Sequence, residues 1–374
     1  METNIIIQGD ALTELKKLTN ESIDLQICSP PYYSLRDYGN TTELIWDGNK
    51  DCNHNFNLKE RYVHRGSANN TVHGAILKGG LEVDWKTKDG FCSKCGAWKG
   101  QLGLEPTFDL YIKHLCDIFD EVKRVLKKGG SCWVNISDSY SGNMGKKNGW
   151  TDNKLGFTKD EAVKSGVCLT NKNKFDFSLP QKCLIGIPFR FAIEMINRGW
   201  ILRNTIIWHK PSCMPSSAID RFTIDFEYLF FFVKSKNYYF ETQYEPLSES
   251  SKKDNRLDKI PSKGIGKTEQ GNYAMQYCGA INSKGRIKRT VWRINPKGFK
   301  EAHFATYPEK LIETPIRACC PKKGIVLDCF FGAGTTGLVA LKQEKRFIGV
   351  ELNPEYCKIA MERLKPYLEQ KLLN

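Results

Sequence analysis

Apolar and polar positions alternate along this chain in two rhythms, short buried runs and longer stretches with helical spacing. Asn4 to Gln8 is predicted as a strand ending at Gly9-Asp10, and Ala11 to Leu18 as a short helix with Leu12, Leu15 and Leu18 on one face. Ser22 to Cys28 is a second strand that runs into Ser29-Pro30-Pro31-Tyr32, where two prolines end any ladder abruptly. Leu110 to Leu126 is a strong amphipathic helix, with Gly129-Gly130 read as its closure and Ser131 to Ile136 as a buried strand. Pro188 to Arg198 is helical, and Trp200 to Trp208 and Phe226 to Val233 are strands, the latter too apolar for anything but core. Helix Pro308 to Cys319, strand Gly324 to Cys329, helix Thr335 to Lys342, strand Arg346 to Val350 and helix Pro354 to about Leu368 close the chain. Strands alternating with helices imply a doubly wound α/β sheet with ligands at the carboxyl ends of its strands.

Three stretches break this rhythm. Trp46 to Trp98 shows no sustained period and reads as an insertion with a local fold of its own. Ser141 to Lys174 is polar and rich in Gly and Lys. Ser251 to Lys300 carries 13 Lys or Arg against 3 Asp or Glu, together with Tyr273, Tyr277, Trp292 and Phe299. Cations interleaved with aromatics suit phosphate neutralisation and base stacking, and the net charge of +14 points the same way. A solvated basic loop is the plainer reading of that segment.

No apolar run approaches the roughly 20 residues that cross a membrane. The first residues lack the basic region and cleavage site of a secretory signal, so the cytoplasm is the expected compartment. Most of the 14 cysteines sit in apolar segments as reduced core residues. Cys52-x-His54 and Cys92-x-x-Cys95-Gly96 differ: two pairs of zinc-type ligands close a loop, with His64 or His73 as substitutes for His54. A four-ligand site leaves no open position, so its expected role is to order the insertion. A redox pair is the alternative.

Two further elements carry chemistry. Gly324 to Asp328 is an apolar strand delivering an acid, and Gly332 and Gly334 then open a helix at Thr335. Strand Arg346 to Val350 ends on Glu351, where a ribose diol is usually held. The spacing does not meet the G-x-G-x-x-G of a nicotinamide dinucleotide site. In Ser29-Pro30-Pro31-Tyr32, the Ser29 hydroxyl and the fixed Pro30 carbonyl can accept both hydrogens of an aromatic amine and aim its lone pair at an electrophile, while Tyr32 stacks on the ring.

These motifs resemble the beta class of DNA amino-methyltransferases, which use S-adenosylmethionine. Asp328 to Thr335 resembles the family's Asp-Pro-Phe-x-Gly-x-Gly-Thr, with Cys329 replacing proline. His303 to Pro308 resembles the segment around the methionine end of the cofactor, and Gly9-Asp10 the adenine-contacting element. The resemblance implies an α/β, Rossmann-like class I methyltransferase fold with a doubly wound, mostly parallel sheet and circularly permuted motif order. A zinc-knuckle-like insertion and a basic target-recognition segment complete it. Residues 1–50 and 101–240 would form the first and second parts of the catalytic core, 51–100 the insertion, 241–300 the target-recognition segment and 301–374 the cofactor-binding part.

By the same resemblance, Ser29, Pro30, Pro31 and Tyr32 are catalytic. Asp10, Phe304, Pro308, Asp328, Phe330, Gly332, Gly334, Thr335, Thr336 and Glu351 hold the cofactor. Lys284, Arg286, Lys288, Arg289 and Arg293 contact DNA. Serine at the first tetrapeptide position favours cytosine N4 over adenine N6. C5 methylation is disfavoured, because its Pro-Cys nucleophile motif is missing from the chain. The implied partners are double-stranded DNA and a possible cognate restriction endonuclease, with no membrane. A catalytically inactive zinc-containing DNA-binding protein and methylation of structured RNA remain the rival readings.

Overall fold

The computed structural model describes residues 1–34, 44–63, 85–141, 179–216, 218–246, 281–282, 285–296 and 306–372. The polar stretch after Ser141 and most of the basic segment lie outside them, as do His64, His73, Tyr273, Tyr277, Lys284, Phe299, His303 and Phe304.

In chain order, β1 (Ile5–Gln8), α1 (Ala11–Lys17) and β2 (Ile23–Cys28) lead into an inserted sheet of β3 (Leu44–Trp46), β4 (Lys59–Val63), β5 (Trp85–Phe91) and β6 (Trp98–Gly100). Next come α2 (Phe108–Val125), β7 (Leu126–Ile136), α3 (Ile187–Asn197), β8 (Ile201–His209) and β9 (Phe226–Val233). Short strands β10 (Tyr244–Glu245), β11 (Ile281–Asn282) and β12 (Gly285–Ile287) form a small sheet, followed by β13 (Val291–Arg293). The chain closes with α4 (Glu309–Cys319), β14 (Ile325–Asp328), α5 (Thr335–Lys342), β15 (Arg346–Glu351) and α6 (Pro354–Leu372).

The main sheet has eight strands in the order β1-β15-β14-β2-β7-β9-β8-β13. Every neighbouring pair is parallel except the two that involve β9, which runs against both β7 and β8. Consecutive sequence strands β1 and β2 are separated in space by β15 and β14, so the last strands of the chain are threaded between the first two. β2 and β14 are buried throughout, as a sheet covered on both sides requires. The polar residues among them are hydrogen-bonded: Asp24 accepts from Ile325 N–H at 2.9 Å and Gln26 from the Cys132 thiol at 2.8 Å. One core layer gathers Leu15, Leu115, Phe119 and Phe191 from α1, α2 and α3, and the other Leu311, Ile316, Leu338 and Leu364 from α4, α5 and α6.

Three departures from the sequence reading have local causes. Helix α2 stops at Leu126, whose backbone N–H bonds back to Val122, and β7 begins at once. Gly129 and Gly130 therefore lie inside the strand and not at a helix end. Ile23 pairs with Leu126 and Leu25 already with Ser131, so the intervening residues bulge out there. Val291–Arg293, expected within the basic segment, is the edge strand of the main sheet, and Trp292 is buried in the core against Trp133 at 6.4 Å. Trp292 is thus a packing residue, unable to stack on a base.

Candidate active site

Adjacent strands β2 and β14 end side by side, and their loops meet over a cavity of about 400 Å³. That lies within the range of roughly 300–1,000 Å³ typical of small-molecule sites. The chain order diverges between these two strands, where an open α/β sheet leaves a crevice at its carboxyl edge.

At one end of the cavity is the glycine turn. Gly332 at φ +51° and Gly334 at φ +76° take left-handed conformations, and Gly334 caps α5. A Cβ placed on Gly332 would meet nothing within 4 Å, so the space beside that turn is open to a ligand. Glu351, at the end of β15, lines the cavity and grips the turn: Oε2 accepts from Gly332 N–H at 2.7 Å and Oε1 from Asn353 N–H at 2.8 Å. The carboxylate retains acceptor capacity beyond these backbone bonds, and burial pushes it up from its ordinary range. Asp10 also faces the cavity and caps α1 by accepting from Thr13 N–H at 2.8 Å.

Asp328 stands behind this wall. Its Oδ2 accepts from Tyr307 at 3.0 Å and from Thr336 at 2.5 Å, and its Oδ1 from Phe330 N–H at 3.0 Å. Burial pushes its carboxyl up to about 6, against the lowering effect of those hydrogen bonds. Phe330 and Thr335 reach the cavity, whereas Asp328, Gly334 and Thr336 shape the turn from behind and Pro308, which caps α4, does not line the cavity.

At the other end Ser29, Pro30, Pro31 and Tyr32 line the wall. Ser29 Oγ donates to the Tyr32 hydroxyl at 3.2 Å, and that hydroxyl lies 2.7 Å from Glu227 Oε2 and 3.1 Å from Asn135 Oδ1. A phenol has one hydrogen to give, and the short bond to a carboxylate is the stronger of the two. Lys210 pairs with the other oxygen of Glu227. The Tyr111 hydroxyl donates to the Pro31 carbonyl at 2.8 Å, fixing the proline pair on α2. Leu44 and Trp46 of β3, with Gln101 and Leu102 after β6, close the cavity from the insertion side.

Asn135, Lys210 and Glu227 were missed in the sequence. Asn135 closes an apolar strand and carries a readable hint, a polar residue at a strand's carboxyl end. Glu227 lies near the start of β9, and only the antiparallel sense of that strand brings it to the active edge.

The four proposed metal ligands lie together. One donor atom from each of Cys52, His54, Cys92 and Cys95 falls within 4.8 Å of the others, with Cys52 Sγ and Cys92 Sγ 4.0 Å apart and Cys95 Sγ 3.4 Å from His54 Nδ1. Burial raises the Cys92 thiol, but backbone N–H groups of Lys94 and Cys95 and the His54 ring outweigh it and bring it down to about 5.

The proposed DNA contacts do not form a free basic array. Arg286 and Arg289 both donate to Glu245 Oε1 at 2.6 Å, and Lys288 lies over the Trp292 ring at 5.2 Å. Arg293 is exposed at the edge strand.

The family model for DNA methylases of the N6/N4 type matches residues 23–362. Type II methyltransferase M.SmaI of Serratia marcescens is 32% identical over 368 residues, covering 97% of this chain and 93% of that protein. Type II methyltransferase M.Cfr9I of Citrobacter freundii is 32% identical over 361 residues, covering 96% and 87% respectively. A solved structure described as PvuII DNA methyltransferase (cytosine-N4-specific) shares the fold with TM-score 0.53 at 18% identity, over 97% of this chain and 86% of that one.

Fold and relatives together define a DNA-modifying methyltransferase. The chain belongs to the N6/N4 DNA methylase family, as a beta-class, S-adenosylmethionine-dependent DNA amino-methyltransferase.

Proposed function

We propose that this enzyme methylates the exocyclic N4 amine of cytosine in double-stranded DNA, after the base has turned out of the helix. The observation that carries the reading is the shared cavity: Ser29 to Tyr32 form one end and Gly332 with Glu351 the other. S-adenosylmethionine, when bound, supplies an electrophilic methyl group. The residues suit that cofactor, since Glu351 keeps acceptor capacity for a diol and Gly332 leaves room for close approach.

Ser29 Oγ and the Pro30 carbonyl accept the amine hydrogens and aim the nitrogen lone pair down the cavity for in-line transfer, with no covalent enzyme intermediate. Tyr32, tethered by Glu227, flanks the extruded ring. Ser29 is the family's usual choice for cytosine, and the same cavity could serve adenine N6 if the product analysis so decides. Asp10, Phe330, Thr335 and Glu351 would touch the cofactor, with Asp328, Gly334 and Thr336 holding the turn that presents them. Phe304 lies outside the described residues. We read the sheet as the Rossmann-like class I core, residues 51–100 as its insertion and 241–300 as the target-recognition segment. In the last of these Lys288 and Arg293 would meet phosphates, with Arg286 and Arg289 held back by Glu245.

The Cys/His cluster suits a structural zinc. Tetrahedral zinc with Zn–S of roughly 2.3 Å separates two sulfurs by about 3.8 Å, close to the spacing of Cys52 and Cys92. The test of the main reading is product analysis: N4-methylcytosine from wild-type protein, absent with Ser29→Ala, supports it, and a different methylated base overturns the choice of cytosine.

A further inference from the structure

Between the cysteine cluster and the tetrapeptide runs a chain of polar contacts, buried at Glu105 and His114 and open to solvent at Asp47, that neither the cofactor nor the base is expected to touch. Glu105 and His114 are both fully inaccessible to solvent. The His114 ring lies between two tryptophans, 4.7 Å from Trp46 and 5.7 Å from Trp98, with interplanar angles of 20° and 21°. Its Nδ1 is 3.1 Å from Glu105 Oε1 and its Nε2 is 3.1 Å from Asp47 Oδ2. A carboxyl oxygen within 3.1 Å of each ring nitrogen limits the orientations open to the imidazole, and the stacking removes the remaining freedom.

Each carboxylate then reaches further. Glu105 Oε2 accepts from Gly103 N–H at 2.7 Å, and the Gly103 carbonyl accepts from Ser34 N–H at 2.7 Å. Gly103 sits at φ +93°, where a Cβ would come within 3.0 Å of the Tyr32 carbonyl. The backbone after Tyr32 is therefore clamped directly by the residue that Glu105 holds. In the other direction Asp47, at φ +60°, follows the cavity residue Trp46 and also accepts from Lys113 at 2.6 Å. The next residue, Gly48, is packed so that a Cβ would fall 2.9 Å from Cys95 Sγ and 2.5 Å from Ala97 Cβ.

We propose that Glu105, His114 and Asp47 form a positioning strut that fixes the Ser29 to Tyr32 element against the cluster-bearing insertion, so that order at the cluster sets the geometry of the amine-binding end. The reading rests on the proposed methyltransfer site and zinc cluster. A largely buried polar chain is weak evidence for stability as such, since apolar replacements often match it. What it supplies here is a single arrangement of two elements that share no strand pairing.

The test compares wild-type enzyme with His114→Phe, which keeps the ring stack and removes both hydrogen bonds, and with Glu105→Gln, which keeps an acceptor for Gly103 N–H. Three quantities are read: steady-state constants on duplex DNA, S-adenosylmethionine affinity by calorimetry, and amide hydrogen exchange of residues 29–34 with zinc content alongside. The strut predicts that His114→Phe lowers kcat by about 10²-fold, the scale expected of an ångström-sized misplacement. KM for DNA and cofactor affinity stay within about twofold, and exchange at residues 29–34 rises. Glu105→Gln, which retains the bond to Gly103 N–H, shows a much smaller loss than His114→Phe, and chelation of wild-type protein raises exchange in the same residues. Unchanged kcat and unchanged exchange in His114→Phe would overturn the strut. A loss shared equally by cofactor affinity signals general unfolding of that variant, and Glu105→Gln and Asp47→Asn then decide by the same readouts, unchanged kcat and exchange in both overturning the strut. Wild-type protein purified without zinc would refute the metal reading separately, because the variant comparison does not depend on it.

Discussion

Tyr32 and Glu227 stand 195 residues apart in the chain and 2.7 Å apart at the cavity wall, the phenol hydroxyl donating to the carboxylate. Because Lys210 balances the acid from the other side, the tyrosine ring is held at a set angle beside Ser29. Tyr32→Phe removes the tether and leaves Glu227 paired. A hydrogen bond to a charged group contributes about 1.5–3 kcal/mol, so a roughly 10- to 100-fold fall in kcat is expected. Cofactor affinity should not move, and single-turnover kinetics with calorimetry separate the two quantities.

Ser29→Ala and Glu351→Ala should divide the site into its two ends. The serine variant is expected to lose catalysis while retaining S-adenosylmethionine binding, and the glutamate variant to lose cofactor affinity first. Glu351 also holds Gly332 N–H, so its removal loosens the turn itself. Equal loss of both properties in each variant would contradict the division.

Much of this site was legible before the fold was known, and the unread part has a consistent cause. The Gly332 turn, Glu351 and Ser29 to Tyr32 announce themselves through local chemistry, because each must sit at the end of a strand with a particular backbone. The Cys52, His54, Cys92 and Cys95 pairs are equally local and do converge. Glu227 was invisible because its position depends on the direction of β9, which runs against both its neighbours and which no local motif announces. Trp292 was misread for a related reason: a basic neighbourhood says nothing of which residue turns inward, and sheet pairing with β8 buries it. Glu105 and His114 carried no periodic or motif signal, since their meaning lies in a tertiary stack.

Asp328 gives a pH dependence of stability. Its folded-state carboxyl titrates at about 6, above the unfolded value near 3.8, so the folded state binds its proton more tightly. Stability from this group is therefore greatest below about pH 4 and declines as pH rises to about 6, by roughly 3 kcal/mol in all. Asp328→Asn, which can still accept from Phe330 N–H, should lack that decline. The difference in unfolding free energy, variant minus wild type, should rise between pH 4 and pH 6 and stay level above. Denaturant titrations at matched pH would reveal a flat difference if the account is wrong.

Zinc removal should act on the insertion and, through it, on the cavity wall formed by Leu44, Trp46, Gln101 and Leu102. Cys92→Ser is expected to release the metal and lower Tm by about 5 °C or more. Plasma emission spectrometry alongside thermal melts checks both, and a variant that melts like the metal-bound wild type would show the cluster to be idle.

Glu245 shields the basic segment, since Arg286 and Arg289 share one of its oxygens. Glu245→Gln should free both guanidinium groups for phosphate and steepen the salt dependence of DNA binding by about one to two counterions. Binding isotherms across salt concentrations with an unchanged slope would place the phosphate contacts elsewhere.

The central claim is the chemistry at the cavity, and nucleoside mass analysis reads it directly. DNA from cells expressing the wild-type chain should contain N4-methylcytosine that disappears with Ser29→Ala. N6-methyladenine in its place would contradict the assignment of cytosine while keeping the fold and cofactor, and the absence of any methylated base with active, cofactor-saturated protein on varied DNA would contradict the proposed reaction.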